Sequence, residues 1–400
     1  MKTGRGKPLG ALVLALALFG CAREEASRAE AVDKTSEILV GEYGSMTGPE
    51  ASFGQGTHNG IILALDEINA GGGVKGRKIK VITEDDQSRP DQAASAVTKL
   101  ISQHRVVAIL GAAASSNSLA GAPICQSNKV PMITPGSTNP EVTKKGDYIF
   151  RTCFIDPYQG EALAKYIAND LKLRRAAILR DVSSDYSMGL ANVFRQTFVS
   201  LGGEIVAEQS YSKGDSDFRA QLTGLKSSRM EVLFVPGYYT DIGQIAIQAR
   251  DLGIQHPLMG GDGWDSPRLI EIGGEALEGS FYTNHHHADD PAPSVRNFVD
   301  KYRKRHGYDP DGGAALGYDS MKLLASAMRR AASLDGPTLR DEIARTREFA
   351  GVTGVITMGP DRNPLNKKFV VLEVKNGRLA LRAAIEPLAG SADGSEQKSQ

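Results

Sequence analysis

The sequence predicts an α/β protein of two lobes, each a parallel sheet covered on both faces. Three observations carry that reading. Short apolar runs with strand character alternate with stretches of helical periodicity. The alternation restarts halfway along the chain. The segments after the second block belong to neither block cleanly, so the lobes share the chain through several crossovers.

In the first block, Ile38-Leu39-Val40 leads into Gly41, and a helix carrying Ile61, Ile62, Leu65 and Ile68 stops at Gly71-Gly72-Gly73. Lys78-Ile79-Lys80-Val81-Ile82 alternates as a strand, and the helix from Pro90 sets Ala93, Val97, Leu100 and Ile101 on one face. Val106-Val107-Ala108-Ile109-Leu110 and Val130-Pro131-Met132-Ile133 are two more strands. The second block places strands at Ala176-Ala177-Ile178-Leu179, Ile205-Val206 and Val232-Leu233-Phe234-Val235, with helices near 190–201, 218–225 and 242–252. From Pro291 the pattern is helical through Phe298, Tyr302, Leu316, Met321 and Leu324, and it closes with the strand-like run 369–374.

Two loops stand at strand ends. Gly111-Ala112-Ala113-Ala114-Ser115-Ser116-Asn117-Ser118 follows one strand and Thr134-Pro135-Gly136-Ser137-Thr138-Asn139-Pro140 the next. In an open α/β sheet, ligands bind at the carboxyl ends of strands. Small residues there admit a ligand to the backbone, and hydroxyls orient it. Ser115 and Ser116 open a helix, where free N–H groups and the dipole favour an anion. The other reading is a pair of ordinary cap and turn segments. Past Pro257-Leu258-Met259, Asp262 stands among glycines and can present a carboxylate to an ammonium group. Asp265-Ser266-Pro267 would instead cap the next helix. Trp264 either lines the cleft or fills a lobe. Tyr186 and Tyr238-Tyr239 fall at helix starts facing the same cleft.

Other motifs exclude. Gly71, Gly73 and Gly76 satisfy G-x-G-x-x-G but follow a helix and precede a strand, the reverse of a dinucleotide site, and so mark a helix stop and turn. No P-loop and no G-x-S-x-G nucleophile elbow occurs. An exported hydrolase would need an activated nucleophile beside a base, and no such constellation is found; no catalytic role is expected. His285-His286-His287 reads as a polar connection rather than a metal site, because consecutive side chains diverge. No metal or cofactor is expected.

Composition bounds the class. The 400 residues are 41% hydrophobic and formally neutral, ample for two compact lobes and against nucleic acid as partner. Lys2, Arg5 and Lys7 precede an apolar run at 9–19, short for a membrane span but right for a signal peptide. It ends in Leu18-Phe19-Gly20-Cys21, similar to the bacterial lipoprotein box, with Cys21 as the lipidated residue. The alternative is a plain secretory peptide with an incidental cysteine. Residues 22–36 read as a flexible tether and 389–400 as a disordered tail. Cys125 and Cys153 are either a disulfide, worth roughly 3–4 kcal/mol, or two buried thiols.

Several runs together resemble the type I periplasmic binding proteins. They are Ser45-Met46-Thr47-Gly48-Pro49, Asn69-Ala70-Gly71-Gly72-Gly73-Val74-Lys75-Gly76, Pro131-Met132-Ile133-Thr134-Pro135 and Arg151-Thr152-Cys153-Phe154. Tyr238-Tyr239-Thr240-Asp241-Ile242-Gly243 and Ala315-Leu316-Gly317-Tyr318-Asp319 continue the pattern, and the match runs from about Glu37 to Pro387. The branch it is most similar to is the branched-chain amino-acid binders of ABC importers. The resemblance implies two doubly wound lobes joined by a three-segment hinge, lobe 1 from 37–155 plus 284–356 and lobe 2 from 156–283 plus 357–388. It implies a lipid-anchored, exported monomer that delivers a free amino acid to a permease. A sensory subunit, or a binder of short amides or other small carboxylates, is the runner-up. Carried over residue by residue, Ser115 holds the ligand's α-carboxylate, and Gly136 and Thr138 grip carboxylate and ammonium. Tyr186 and Tyr238 close from the second lobe. Asp262 pairs with the ammonium where branched-chain binders often carry Glu. Phe53 lines the side-chain pocket where tyrosine is common, so that pocket has drifted. Ser116, Ser137 and Trp264 are further candidates for ligand contact.

Overall fold

A computed structural model describes residues 1–4 and 37–385. Cys21, the signal segment beyond residue 4, the 22–36 tether and the 389–400 tail lie outside the described residues. β1 (Ile38–Gly44) is buried at all but one position, as a strand between two helical layers must be. It pairs in parallel with β2 (Ile79–Asp85) on one side and β3 (Ala108–Leu110) on the other, Val40 standing opposite Val81 and Ala108. With β4 (Met132–Thr134) and β5 (Ile149–Arg151) the first sheet has the order β2-β1-β3-β4-β5. The helices between are α1 (Ala51–Ala70), α2 (Pro90–Ser102) and α3 (Ser115–Ser127). The chain leaves α1 through Gly72 and Gly73 at φ of +93° and +75°. A Cβ at Gly73 would lie 2.0 Å from the Arg77 carbonyl oxygen, so the glycine run is a helix stop and turn.

A second block follows: α4 (Asp156–Lys165), β6 (Arg175–Asp181), α5 (Asp185–Ser200), β7 (Glu204–Tyr211), α6 (Arg219–Lys226), β8 (Val232–Phe234), α7 (Tyr239–Asp251), β9 (Leu258–Gly260), α8 (Pro267–Gly273) and β10 (Phe281–Asn284). Phe194, Phe234 and Met259 fill one face of its sheet and Leu222, Ile242 and Leu258 the other. α9 (Pro293–His306), α10 (Gly312–Arg330) and α11 (Gly336–Ala344) then return to the first sheet, where Met321, Leu324 and Ile343 join Ile61 and Ile68 in one core. β11 (Phe349–Gly351) and β12 (Gly354–Ile356) form a small hairpin. β13 (Phe369–Lys375) and β14 (Arg378–Ile385) complete the second sheet, β14-β13-β10-β9-β8-β6-β7, antiparallel only at β13 and β14. The chain thus passes between the sheets after β5, after β10 and after β12. Among the described residues no helix is long and apolar enough to cross a membrane.

Cys125 and Cys153 are two buried free thiols, not a disulfide. Cys125 packs on α3 with Val97 and Leu100 on one side of the sheet, while the Cys153 thiol beyond β5 donates to the Ser137 carbonyl at 3.3 Å. Burial pushes both thiols up, Cys153 to about 12.

Candidate functional site

The two hydroxyl-rich loops are stitched to one another at the ends of β3 and β4. Thr134 Oγ1 donates to the Ala112 carbonyl at 2.5 Å and accepts the Ser137 N–H at 3.0 Å. The Ser137 hydroxyl lies 3.0 Å from the Ala112 carbonyl and 2.7 Å from Ser118 Oγ. Beneath them the buried Arg151 guanidinium donates to the carbonyls of Ser137 and Asn139 at 2.5 and 2.8 Å. This bracing fixes Ser115 at the first turn of α3, its hydroxyl accepting the Asn139 N–H at 3.3 Å. Gly136 leaves the floor bare, and Thr138 presents its hydroxyl toward Asp156.

The facing wall comes from the second sheet. Tyr186 at the start of α5 and Tyr238 at the N-cap of α7 stack with ring centroids 5.3 Å apart, and Phe53 of α1 meets Tyr238 edge-on at 5.5 Å. Tyr186 Oη accepts the Gly263 N–H at 3.0 Å, which fixes the turn holding Asp262. One Asp262 oxygen accepts from Gln159 Nε2 at 2.9 Å, and the other lies 3.0 Å from His285 Nε2. Gln159 Nε2 also reaches Asp156 Oδ1 at 2.7 Å. Burial, and then the charge of Asp262, pushes the Asp156 carboxyl up to about 7. Burial holds His285 below the usual imidazole range, although Asp262 opposes the shift, so the ring is neutral near pH 7. It stacks on Phe154 at 3.7 Å. The cleft holds about 480 Å³ of space between atoms. That scale suits a small molecule rather than a polymer.

Phe53, Ser115, Gly136, Thr138, Tyr186, Tyr238 and Asp262 therefore line one cleft. Three other candidates do not. Trp264 is fully buried in the second lobe, its indole N–H donating to the Val235 carbonyl at 3.0 Å over a face that Gly260 leaves bare. Ser137 is spent bracing the loops. The Ser116 hydroxyl turns away to donate to Asp185 Oδ2 at 2.8 Å. The histidine run lies in the connection from β10 to α9, as the sequence suggests, but His285 and His286 are buried in it and His285 lines the cleft. Among the described residues no His, Cys, Asp and Glu gather as metal ligands. Ser266 does cap α8, accepting the Arg268 N–H at 3.1 Å. Its neighbour Asp265 lines the cleft together with Thr57, Asn284 and the glycines Gly312 and Gly313. Sequence reasoning passed over these, and over Gln159 and Arg151; only for Asp265 and Arg151, charged residues at or near strand ends, was a signal available.

Chain segments from both α/β lobes that meet only in the fold thus enclose a small cleft between them. The periplasmic binding protein profile matches residues 37–378. The chain belongs to the periplasmic binding protein family. The periplasmic binding proteins are substrate-binding transport proteins, and relatives agree along most of the length. A leucine-specific-binding protein of Salmonella typhimurium is 34% identical over 300 residues, 74% of this chain and 80% of its own. Among solved structures, a leucine binding protein, LivK, of Thermotoga maritima is 39% identical with a TM-score of 0.84, covering 88% of this chain and 99% of that one. The branched-chain amino acid transporter substrate binding protein LivJ of Streptococcus pneumoniae, in complex with isoleucine, is 33% identical with a TM-score of 0.83, covering 88% and 100%.

Proposed function

We propose that this periplasmic binding protein captures one free amino acid between its lobes and delivers it to the membrane permease of an ABC importer, exported and held to the membrane by a lipid on Cys21. The observation that carries the reading is the opposition of two half-sites. The N-terminus of α3 with Ser115 offers N–H and O–H donors to a carboxylate, Thr138 lines the cleft beside it, and Asp262, fixed by Gln159 and His285, offers a carboxylate to an ammonium group. A zwitterion can leave water only where both charges find partners. Hydrogen bonds to charged groups contribute about 1.5–3 kcal/mol each, so a handful gives micromolar or tighter binding after ordering costs. Ser115 and Asp262 sit on different lobes, so their joint grip exists only when the cleft is shut, and the ligand draws the open–closed equilibrium toward closure.

The test is calorimetric titration of the purified protein, unfolded and refolded to strip carried-over ligand, against the common amino acids, small amides and carboxylates. One-to-one binding of an amino acid at micromolar or lower Kd is expected. Asp262→Ala should weaken it at least about tenfold, the loss of one charge-assisted contact. Silence toward every amino acid, with heat from another small carboxylate or amide, would overturn the assigned ligand.

A further inference from the structure

A second polar cluster in the same cleft constrains what the ligand's side chain can be. α10 opens on Gly312-Gly313, both lining the cleft, and four polar side chains close around this pair. A Cβ on Gly312 would lie 2.6 Å from Asn284 Oδ1 and 2.7 Å from Asp265 Oδ2. One on Gly313 would lie 3.3 Å from Asp311 Oδ1 and 3.5 Å from Thr57 Oγ1. Asp311 stands behind as the α10 cap, accepting the Ala314 N–H at 2.7 Å. Asp265 accepts the Gly312 N–H on Oδ2 at 2.6 Å, its Oδ1 lies 3.4 Å from the Tyr282 hydroxyl, and the Asn284 amide also donates to it. Among the described residues the buried Thr57 hydroxyl has no partner.

The charges are one-sided. Asp262 and Asp265 line the cleft, and among the described residues no Lys or Arg does. A zwitterion's carboxylate is met at α3 and its ammonium at Asp262, which leaves Asp265, Asn284 and Thr57 for the side chain. An aliphatic side chain would hold the unpartnered Thr57 hydroxyl and the Asp265 carboxyl against methyl groups, where neither gains a hydrogen bond. We infer that the ligand is an amino acid whose side chain ends in N–H donors, received by Asp265 with Thr57 and Asn284 beside it. The assignment rests on the amino-acid reading above and narrows it away from Leu, Ile and Val. Burial, and then the neighbouring Asp311, pushes the Asp265 carboxyl above the usual carboxylate range, a direction that a donor or cation at its side would reverse.

The ligand-stripped protein is titrated with L-lysine, L-ornithine, L-arginine and L-glutamine against L-leucine and L-valine. At least one of the first four should bind about tenfold or more tighter than leucine, because a site built for donors rejects an analogue lacking them. A basic amino acid in first place identifies a charged tip, and glutamine a neutral amide. Asp265→Asn should shrink the preference over leucine to about threefold or less, and Thr57→Val, should the first variant fail to fold, should move it the same way. Leucine or valine binding tighter than all four overturns the assignment and leaves the amino-acid reading standing. A preference unmoved in folded Asp265→Asn overturns the role of Asp265. Silence toward every amino acid overturns both readings.

Discussion

Asp156 shows how one buried side chain ties the cleft to stability. It is buried beside Asp262, and its carboxyl is pushed up to about 7 from the usual value of about 3.9. Between those values the folded protein holds a proton that the unfolded chain has released. The slope of stability with pH is then negative, and what Asp156 contributes at low pH is lost as pH rises toward about 7. Asp156→Asn is neutral throughout. The Tm of wild type minus that of Asp156→Asn should therefore shrink steadily from pH 5 to pH 7.5, read by differential scanning calorimetry; a constant difference would show that Asp156 titrates normally. At this scale the sequence was informative where backbone sets direction. Ser115, Thr138 and Asp262 follow strand ends among small residues, and a side chain there has little choice but to face the crevice. Trp264 ends a short 3₁₀ turn, Asp262–Trp264, and Asp265 follows it, so the twist of the turn decides which side chain faces the cleft. Two or three residues of local sequence do not encode that rotation, so the sequence left Trp264 between cleft and lobe and read Asp265 as a cap rather than as cleft lining.

At the scale of elements, the closest helix pair does more than fill a core. A Cβ on Gly60 would lie 1.9 Å from the Ala314 carbonyl oxygen, and one on Gly317 would lie 2.3 Å from the Thr57 carbonyl oxygen, so α1 and α10 meet backbone to backbone. Gly60→Ala or Gly317→Ala must push the helices apart, at about 1–3 kcal/mol each by thermal denaturation. The same helices carry Phe53, Thr57 and Leu316 into the cleft, so both substitutions should also weaken ligand binding. Apolar periodicity located these helices and most strands because each buries one regular stripe or a continuous run. It gave no β14, whose exposed edge positions and Arg378 and Arg382 blur the alternation. Its signal lay in the turn instead: Asn376-Gly377, both at positive φ, is the dipeptide that closes a two-residue hairpin. The hairpin of β11 and β12 has three residues per strand, too few for a period to register.

At the scale of the whole molecule, closure depends on contacts that the ligand never touches. Lys213, between β7 and α6, donates to Glu50 Oε2 at 2.9 Å and to the Ser88 carbonyl at 2.6 Å across the lobes. Tyr239 Oη donates to the Pro49 carbonyl at 2.7 Å, and Asn139 Nδ2 to the Asp185 carbonyl at 2.7 Å. These bonds replace water contacts that an open cleft keeps, so each adds only a modest bias toward the closed form. Glu50 is the exception. It is buried, and burial pushes its carboxyl upward against the pull of Lys213, so it needs that cation. Lys213→Met should leave the Glu50 charge buried alone in the closed form and lower the closed population. Apparent affinity falls with that population, because only the closed form offers both half-sites. A several-fold rise in Kd is expected although residue 213 is outside the cleft lining, with small-angle scattering showing a more extended protein at subsaturating ligand. Glu50→Gln needs no cation, so the double variant should recover most of the lost affinity. Loss that persists in the double variant would mean that Lys213 acts through the Ser88 carbonyl, and an unchanged Kd in Lys213→Met would remove this contact from the closing equilibrium.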